Sequence, residues 1–259
     1  MPSESRILGV IPARGGSQGV PGKNIRELCG APLLAWTVDC ARRSRLITDV
    51  CLSTDDEEIR GIGTRYGALA PFLRPAELAT HRALAIPTIQ HAVREMERSR
   101  GCRYDVVAML QPTSPLRTPD DVDAALSRLL DTPAASGIIS VVDVDNWHPM
   151  KMKKFVGADG TSGQMVDYQK PPKENPPRQE LPPVYMVNGV IYATRRAVFM
   201  EENSFQGRYC LGYVMPPERS VNIDAEADFL VAEYEMKRQG RVPPRVVTVE
   251  AAPGDGVER

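Results

Sequence analysis

The chain has 259 residues, of which 42% are hydrophobic and 25% charged, an ordinary balance for a globular protein. Its 32 Lys and Arg residues nearly equal its 33 Asp and Glu residues, so no overall basic field favours nucleic acid. No stretch reaches the roughly 18 apolar residues of a membrane span, and the N-terminus lacks a signal-peptide layout. The five cysteines form neither a disulfide framework nor a C-x-x-C motif. We therefore expect one cytoplasmic domain over 1–259 that binds neither nucleic acid nor membrane.

Apolar strand patterns alternate with amphipathic helix patterns along most of the chain. The predicted strands span 6–12, 49–53, 105–110 and 137–142, and the predicted helices span 32–43, 86–98 and a segment beginning at Thr118. Thr118 has the N-cap position, with Pro119 at the first helical position. Another helix is predicted to begin with the capping-box spacing of Thr54 to Glu57 and to end at Gly67. This alternation predicts an α/β fold, with a mostly parallel sheet covered by helices on both faces.

A proline-rich segment from about 145 to 187 interrupts the alternation. Its prolines are at positions 149, 171, 172, 176, 177, 182 and 183. Prolines at this density cannot build a central strand or helix. Since long irregular segments in compact domains are usually functional, we expect either an active-site lid or an arm that reaches a partner subunit. A strand over 184–193 and a helix over 225–238 follow, and 254–259 are expected to be frayed.

A glycine-rich segment over 13–24 follows the first predicted strand, with Arg14 and Lys23 at its two shoulders. Glycines let backbone N–H groups approach phosphate oxygens, and the two cations would neutralise phosphate charge. The spacing fits neither a P-loop nor the dinucleotide fingerprint G-x-G-x-x-G. A flexible surface turn would explain the glycines but not the flanking cations. The segment therefore predicts a polyphosphate site.

The segment Ile-Pro-Ala-Arg-Gly-Gly-Ser-Gln-Gly-Val-Pro-Gly-Lys-Asn over 11–24 resembles the signature of the acylneuraminate (CMP-sialic acid) cytidylyltransferase family. Further similar blocks follow in order: Leu-Ser-Thr-Asp at 52–55, Arg-Pro-Ala-Glu-Leu-Ala at 74–79, Leu-Gln-Pro-Thr-Ser-Pro-Leu-Arg-Thr at 110–118, Asn-Gly-Val-Ile-Tyr at 188–192 and Asn-Ile-Asp at 222–224. The resemblance implies a Rossmann-like nucleotidyltransferase fold and a homodimer built through the inserted arm. It also implies CTP as donor, a small acidic acceptor and Mg²⁺ as cofactor.

The same resemblance implies roles for individual residues. The residues expected to contact the nucleotide are Ala13, Arg14, Gly15, Lys23, Asn24, Arg74 and Ala85. Those expected to contact the acceptor are Gln111, Lys151, Arg178 and Asn188, with Lys151 and Arg178 reaching across the dimer from the arm. Asp224 and Asn222 are the implied metal ligands. Arg14, Lys23 and Asp224 form the implied catalytic set.

Four of these residues also have simpler interpretations. Lys151 and Arg178 can be ordinary solvated charges. Gln111 precedes Pro112 and can be an ordinary turn residue. Asp224 precedes Ala225 at the start of a predicted helix, where it can serve as an N-cap.

Several positions depart from the family pattern, and they leave the acceptor open. Asn222 stands where the family often has an acidic residue, Ala85 where a serine helps to read the base, and Met186 where sialate-binding members can have arginine. A nonulosonic acid of the sialic or legionaminic type is the first expectation. A phosphonate such as phosphonoformate, a non-catalytic nucleotide-binding protein and a GTP-using enzyme are the alternatives.

Overall fold

The computed structural model describes residues 5–17, 19–157, 163–174 and 176–247. Gln18 of the glycine-rich segment and the expected frayed end at 254–259 lie outside these ranges. The strands are β1 (Ile7–Pro12), β2 (Glu27–Leu28), β3 (Ala31–Pro32), β4 (Asp49–Ser53), β5 (Val106–Met109), β6 (Gly137–Asp143), β7 (Lys153–Val156), β8 (Gln164–Asp167), β9 (Tyr185–Arg195) and β10 (Cys210–Met215). The helices are α1 (Leu33–Arg43), α2 (Glu57–Arg65), α3 (Ala85–Arg100), α4 (Pro119–Leu130), α5 (Arg196–Glu201) and α6 (Glu226–Arg238).

The central sheet has six strands in the order β10-β6-β9-β5-β1-β4. β1 pairs in parallel with β4 and β5, and β10 pairs in parallel with β6. β9 lies antiparallel between β5 and β6. The predicted mostly parallel sheet is therefore confirmed. The carboxyl ends of β1, β4 and β5 meet at one edge, the edge where open α/β sheets bind ligands.

Alternate side chains of the buried strands point to opposite faces, and helices cover both faces. Ile7 and Ile11 of β1 pack in one apolar cluster with α1, α2 and α4. Leu8 and Val10 of the same strand pack in a second cluster with α3 and with Phe199 of α5. A third cluster joins α6 to α1 and to the short β2–β3 pair. The predicted helix cover of both sheet faces is thus confirmed.

The sequence signals for helix ends are mostly confirmed. Thr118 caps α4 in a reciprocal capping box with Asp121, and Pro119 is the first helical residue. Gly67 follows α2 with a φ of 94°, which glycine adopts without a steric penalty. The predicted cap of α2 at Thr54 is wrong. Asp56 is the cap, because its carboxylate accepts from the N–H groups of Glu58 and Ile59.

The proline-rich segment forms a small structure outside the central sheet. β7 and β8 pair only with each other, as an antiparallel hairpin. The central sheet resumes at Tyr185, which pairs with Asp143, so the segment ends slightly before the predicted boundary at 187. The short β2–β3 pair, α5 and β10 were not predicted from the sequence. Within the described ranges, none of the helices combines the length and the apolar character needed to cross a bilayer.

Candidate active site

A cavity of about 480 Å³ opens at the carboxyl ends of β1 and β5. Its lining is largely polar and comes from three separate parts of the chain. The lining residues are Pro12, Arg14, Ser17, Gly19, Lys23, Asn24, Gln111, Pro112, Thr113, Asn222 and Asp224. Six of the predicted site residues are among them: Arg14, Lys23, Asn24, Gln111, Asn222 and Asp224. The fold thus brings together residues that are as much as 210 positions apart in the sequence.

The glycine-rich loop is held in shape by backbone and side-chain hydrogen bonds. Ala13 N–H donates to the Ser53 carbonyl at 3.0 Å, and Gly15 N–H donates to Asp55 Oδ1 at 3.1 Å. Asn24, which is buried, donates its amide to the Arg14 carbonyl at 3.0 Å and closes the loop. Asn24 therefore supports the loop as well as lining the cavity, and Gly15 is bound to a carboxylate through its backbone.

The two cations of the loop both have protein acceptors. Arg14 Nη1 donates to the Thr80 carbonyl at 2.9 Å. Lys23 Nζ donates to the Ile223 carbonyl at 2.8 Å and lies 3.2 Å from Asp224 Oδ1. The Lys23 side chain is only 13% exposed, so its ammonium group is held in one place at the cavity wall. Two fixed positive charges beside a glycine loop can bind and orient a polyphosphate.

Asn222 and Asp224 are hydrogen-bonded to each other at the cavity, and Asp224 is also in contact with Lys23. The Asn222 amide donates to Asp224 Oδ2 at 2.6 Å. Asn222 Oδ1 is buried and has no hydrogen-bond partner among the described residues. Asp224 does not cap α6, so that simpler interpretation is wrong. The N-cap residue is Ala225, and the Asp228 carboxylate accepts from the N–H groups of Asp224 and Ala225, which leaves the Asp224 side chain facing the cavity.

Gln111 lines the cavity just after the carboxyl end of β5 and lies against β9. Its carbonyl accepts from Ser114 N–H at 3.3 Å, so it is a turn residue, while its side chain lines the cavity. Gly189 has a φ of 76°, and a Cβ there would lie 3.2 Å from Gln111 Oε1. The Gln111 amide therefore packs against the backbone of Gly189, where a side chain would crowd it.

Asn188 stabilises the neighbouring bulge of β9 and does not line the cavity. Between the pairs Ile139–Tyr192 and Val141–Val187, β6 contributes one residue and β9 contributes 188–191. Asn188 Oδ1 accepts from Ser140 Oγ at 2.6 Å, and its amide donates to Ser220 Oγ at 2.9 Å. Because both ends of its side chain are engaged, its place here is structural, and its predicted acceptor contact stays a prediction.

Four further predicted residues do not line this cavity in the described part of the chain. Arg74 is buried against Ser53, where Nε donates to Ser53 Oγ at 3.1 Å and burial lowers the pKa of Arg74 to about 10. Ala85 is the exposed first residue of α3. Lys151 and Arg178 lie in the proline-rich segment, where Arg178 forms an ion pair with Asp145. The predicted contacts of these four residues stay predictions.

Some residues at the site were not predicted. Thr113 lines the cavity, and its carbonyl accepts from Ile223 N–H at 2.8 Å, which fastens the Asn222–Asp224 segment beside Gln111. Ser17 lines the cavity from the glycine loop. Both lie inside blocks that resemble the family, but small hydroxyl residues in turns give no further signal in one sequence.

Comparisons with known proteins agree with this site. The family model described as cytidylyltransferase matches residues 8–211. A CMP-N,N'-diacetyllegionaminic acid synthase of Legionella pneumophila is 30% identical over 90% of this chain and 97% of its own length. An N-acylneuraminate cytidylyltransferase of Escherichia coli is 32% identical over 92% of this chain and 54% of its own length. A post-translational flagellin modification protein B of Campylobacter coli is 30% identical over 91% of this chain and 97% of its own length.

The fold also matches that of a solved structure. A CMP:2-keto-3-deoxy-manno-octonic acid synthetase solved with CTP superposes with a TM-score of 0.66 and 18% identity, covering 91% of this chain and 100% of that one. The predicted Rossmann-like nucleotidyltransferase fold is therefore confirmed. The resemblance carried by the loop and the blocks after it is confirmed by the relatives above. The chain belongs to the cytidylyltransferase family, whose members are CTP-dependent nucleotidyltransferases.

Proposed function

We propose that the protein transfers the cytidylyl group of CTP to a nonulosonic acid and releases pyrophosphate. The observation that carries this proposal is one cavity lined by Arg14 and Lys23 of the glycine-rich loop and by Gln111, which follows β5. The names of two relatives, an N-acylneuraminate cytidylyltransferase and a CMP-N,N'-diacetyllegionaminic acid synthase, support the choice of acceptor.

The chemistry needs positioning and charge neutralisation more than it needs a protein nucleophile. An acceptor hydroxyl oxygen attacks the α-phosphorus of CTP, and the bond from that phosphorus to the pyrophosphate oxygen breaks. Arg14 has N–H donors besides the one on the Thr80 carbonyl, and Lys23 has a third besides those on Ile223 and Asp224, so both can donate to phosphate oxygens from where they are held. Both cations then stabilise the negative charge that develops on the leaving pyrophosphate.

We also propose Mg²⁺ as the cofactor, held by Asp224 and Asn222 together with phosphate oxygens. Hard cations such as Mg²⁺ prefer oxygen ligands and usually bind through one or two carboxylates plus substrate phosphates. The exposed Asp224 carboxylate fits that requirement. Asn222 Oδ1 has no hydrogen-bond partner among the described residues and would join Asp224 once the amide turns over, because its nitrogen now faces Asp224. Among the described residues, no cluster of three or more His, Cys, Asp or Glu side chains offers a site made of protein alone. When bound, Mg²⁺ would neutralise phosphate charge.

We propose further that the protein works in the cytoplasm as a homodimer whose proline-rich segment lies against the partner. The free thiols of all five cysteines suit a reducing compartment. Large apolar side chains of the segment are exposed, among them Trp147, Phe155, Met165 and Tyr168. Phe155 and Met165 are directly opposite each other in the hairpin, and clustered exposed apolar side chains are typical of protein interfaces.

The dimer proposal has a direct test in mixed dimers. Arg14→Ala should inactivate the body of one subunit, and Arg178→Ala should inactivate the segment that reaches its partner. If Arg178 acts across the interface, mixing the two inactive variants restores one competent site in each mixed dimer. Mixtures that stay inactive despite subunit exchange, or a monomer by light scattering, would contradict the proposal.

The acceptor is tested by pyrophosphate release with Mg²⁺ and CTP over a panel of acids. The panel holds sialic acid, legionaminic acid, Kdo and phosphonoformate, with GTP, ATP and UTP as alternative donors. Turnover with a nonulosonic acid is the expected result. Turnover with phosphonoformate alone would replace the acceptor, and CTP binding without turnover on any acid would support a non-catalytic role.

A further inference from the structure

Arg117 is a buried cation next to the cavity that the proposed chemistry does not use. Its side chain is 2% exposed, and no carboxylate of the described residues lies within ion-pair distance of it. Its guanidinium instead donates from Nη1 to the Val190 carbonyl at 2.6 Å, and from Nη2 to Thr37 Oγ1 at 3.0 Å and to the Gln111 carbonyl at 3.3 Å. Burying a charge without a counter-charge is costly, so this arrangement calls for an explanation.

These contacts lie at the point where the ladder between β5 and β9 stops. The ladder runs from Val106 opposite Arg195 to Met109 opposite Tyr192. Continuing the same register by two residues places Gln111 opposite Val190. The guanidinium bonds the carbonyls of both, so Arg117 replaces the missing ladder bonds with a side-chain bridge. A planar guanidinium with several fixed donors suits this task, because a single ammonium group cannot match its geometry.

The bridge sets the position of the part of the cavity wall that Gln111 forms. Gln111 presents its side chain to the cavity, and its Oε1 rests against Gly189, the residue next to Val190. Gly189 and Val190 belong to the bulge of β9, whose four residues have no ladder partners of their own on β6. Bulges beside active sites re-aim side chains and need other bonds to hold them. Arg117 therefore links the two backbone segments that enclose the Gln111 side chain.

We propose that Arg117 is a positioning residue for the acceptor, which holds Gln111 and the 188–191 bulge at a fixed separation. This inference rests on the proposed function, in which Gln111 contacts the acceptor. Arg117 does not touch the cavity itself and acts through Gln111 and Val190. Its positive charge lies behind the cavity wall without a paired carboxylate, which also favours an acidic acceptor over a neutral one.

The test compares Arg117→Lys with Thr37→Val. Arg117→Lys keeps the charge but cannot reach both carbonyls, so we expect the acceptor KM to rise by roughly 10- to 100-fold with the KM for CTP unchanged. Thr37→Val removes one partner of the same guanidinium and the long 3.4 Å hydrogen bond from Thr37 Oγ1 to the Gln111 carbonyl. It leaves both bonds from the guanidinium to the carbonyls of Gln111 and Val190, so it should lower Tm without changing the acceptor KM. A purely structural role for Arg117 would lower Tm in both variants and shift both KM values together, which would overturn the proposal.

Hydrogen exchange supplies a readout that needs no substrate. In Arg117→Lys we expect faster amide exchange in 110–113 and 188–191, with no change in the glycine loop at 13–17. Arg117→Gln, shorter and uncharged, gives the same readout if the lysine variant does not fold. Wild-type protein that turns over no acid would refute the proposed function alone. Unchanged exchange in both segments would overturn the role of Arg117.

Discussion

The close contact between Gly19 and Asp224 gives the sharpest single test of the site. A Cβ added at Gly19 would come closer to the Asp224 carbonyl oxygen than the 3.0 Å that Cβ atoms essentially never pass. Gly16, three residues earlier in the same loop, has open space around the equivalent position. Neither glycine is among the described residues with a positive φ, the conformation that favours glycine over alanine. Gly19→Ala and Gly16→Ala therefore differ in the contact with Asp224.

The size of the effect follows from the geometry. The obstacle is a backbone oxygen, which cannot swing aside as a side chain can, so the loop and Asp224 must separate by about 0.5 Å or more. Functional groups need to be held within about 0.5 Å of the productive geometry, and a displacement of about 1 Å costs about 100-fold. We therefore expect kcat/KM to fall about 10- to 100-fold in Gly19→Ala, or about 1.4 to 2.7 kcal/mol of transition-state stabilisation.

The assay is steady-state pyrophosphate release with CTP, Mg²⁺ and the acceptor found on the panel. Gly16→Ala should stay within about threefold of wild type in kcat/KM. Equal losses in the two variants would mean that the loop needs glycine for flexibility at both positions. Wild-type kcat/KM in Gly19→Ala would refute the reasoning, because the loop and Asp224 could then separate without consequence.

Three further changes have defined outcomes. Lys23→Met should lower kcat about 100- to 1000-fold in the same assay, since one fixed cation at the leaving group is lost. Asn222→Asp adds a second carboxylate beside Asp224 and should tighten Mn²⁺ binding without nucleotide about tenfold, measured by water-proton relaxation. Burial raises the pKa of Asp121, but hydrogen bonds from Arg219 and Thr118 together with the Arg219 charge outweigh burial and leave the pKa below its ordinary value. The ionised Asp121 therefore stabilises the folded state above about pH 4, and this contribution is lost as the pH falls through its folded-state pKa. Asp121→Asn should lower the free energy of unfolding at pH 7 by about 2 kcal/mol, measured in urea. Its stability should also fall less than that of wild type as the pH is lowered.

Much of the fold follows from local patterns that a single sequence contains. The buried strands β1, β4 and β5 are short apolar runs, and Thr118 with Pro119 marks the start of α4. β10 was missed because it is only partly buried and shows no clear alternation. The two-residue strands β2 and β3 are too short to show any period.

The residues of the candidate site were likewise predictable from the sequence only in part. Arg14 and Lys23 could be predicted because they flank the glycine segment in the sequence itself. Arg117 could not, because nothing in one sequence distinguishes an arginine that folding buries from one that stays in solvent. Asp224 had an equally good interpretation as a helix cap, and only the structure shows that Asp228 takes that task. Contacts made between distant segments depend on the fold and leave no local trace.

The bulge at 188–191 separates β9 into two parts whose registers are set independently. In an unbroken strand, a one-residue insertion would turn every following side chain to the opposite face. Here the first part pairs with β6 at Tyr185 to Val187, and the second pairs with β5 and β6 from Tyr192 onward. A change of length in the proline-rich segment is absorbed before the buried half of the strand begins. The proline-rich segment, with whatever it contacts, can therefore change in length without altering the register of the buried half of β9.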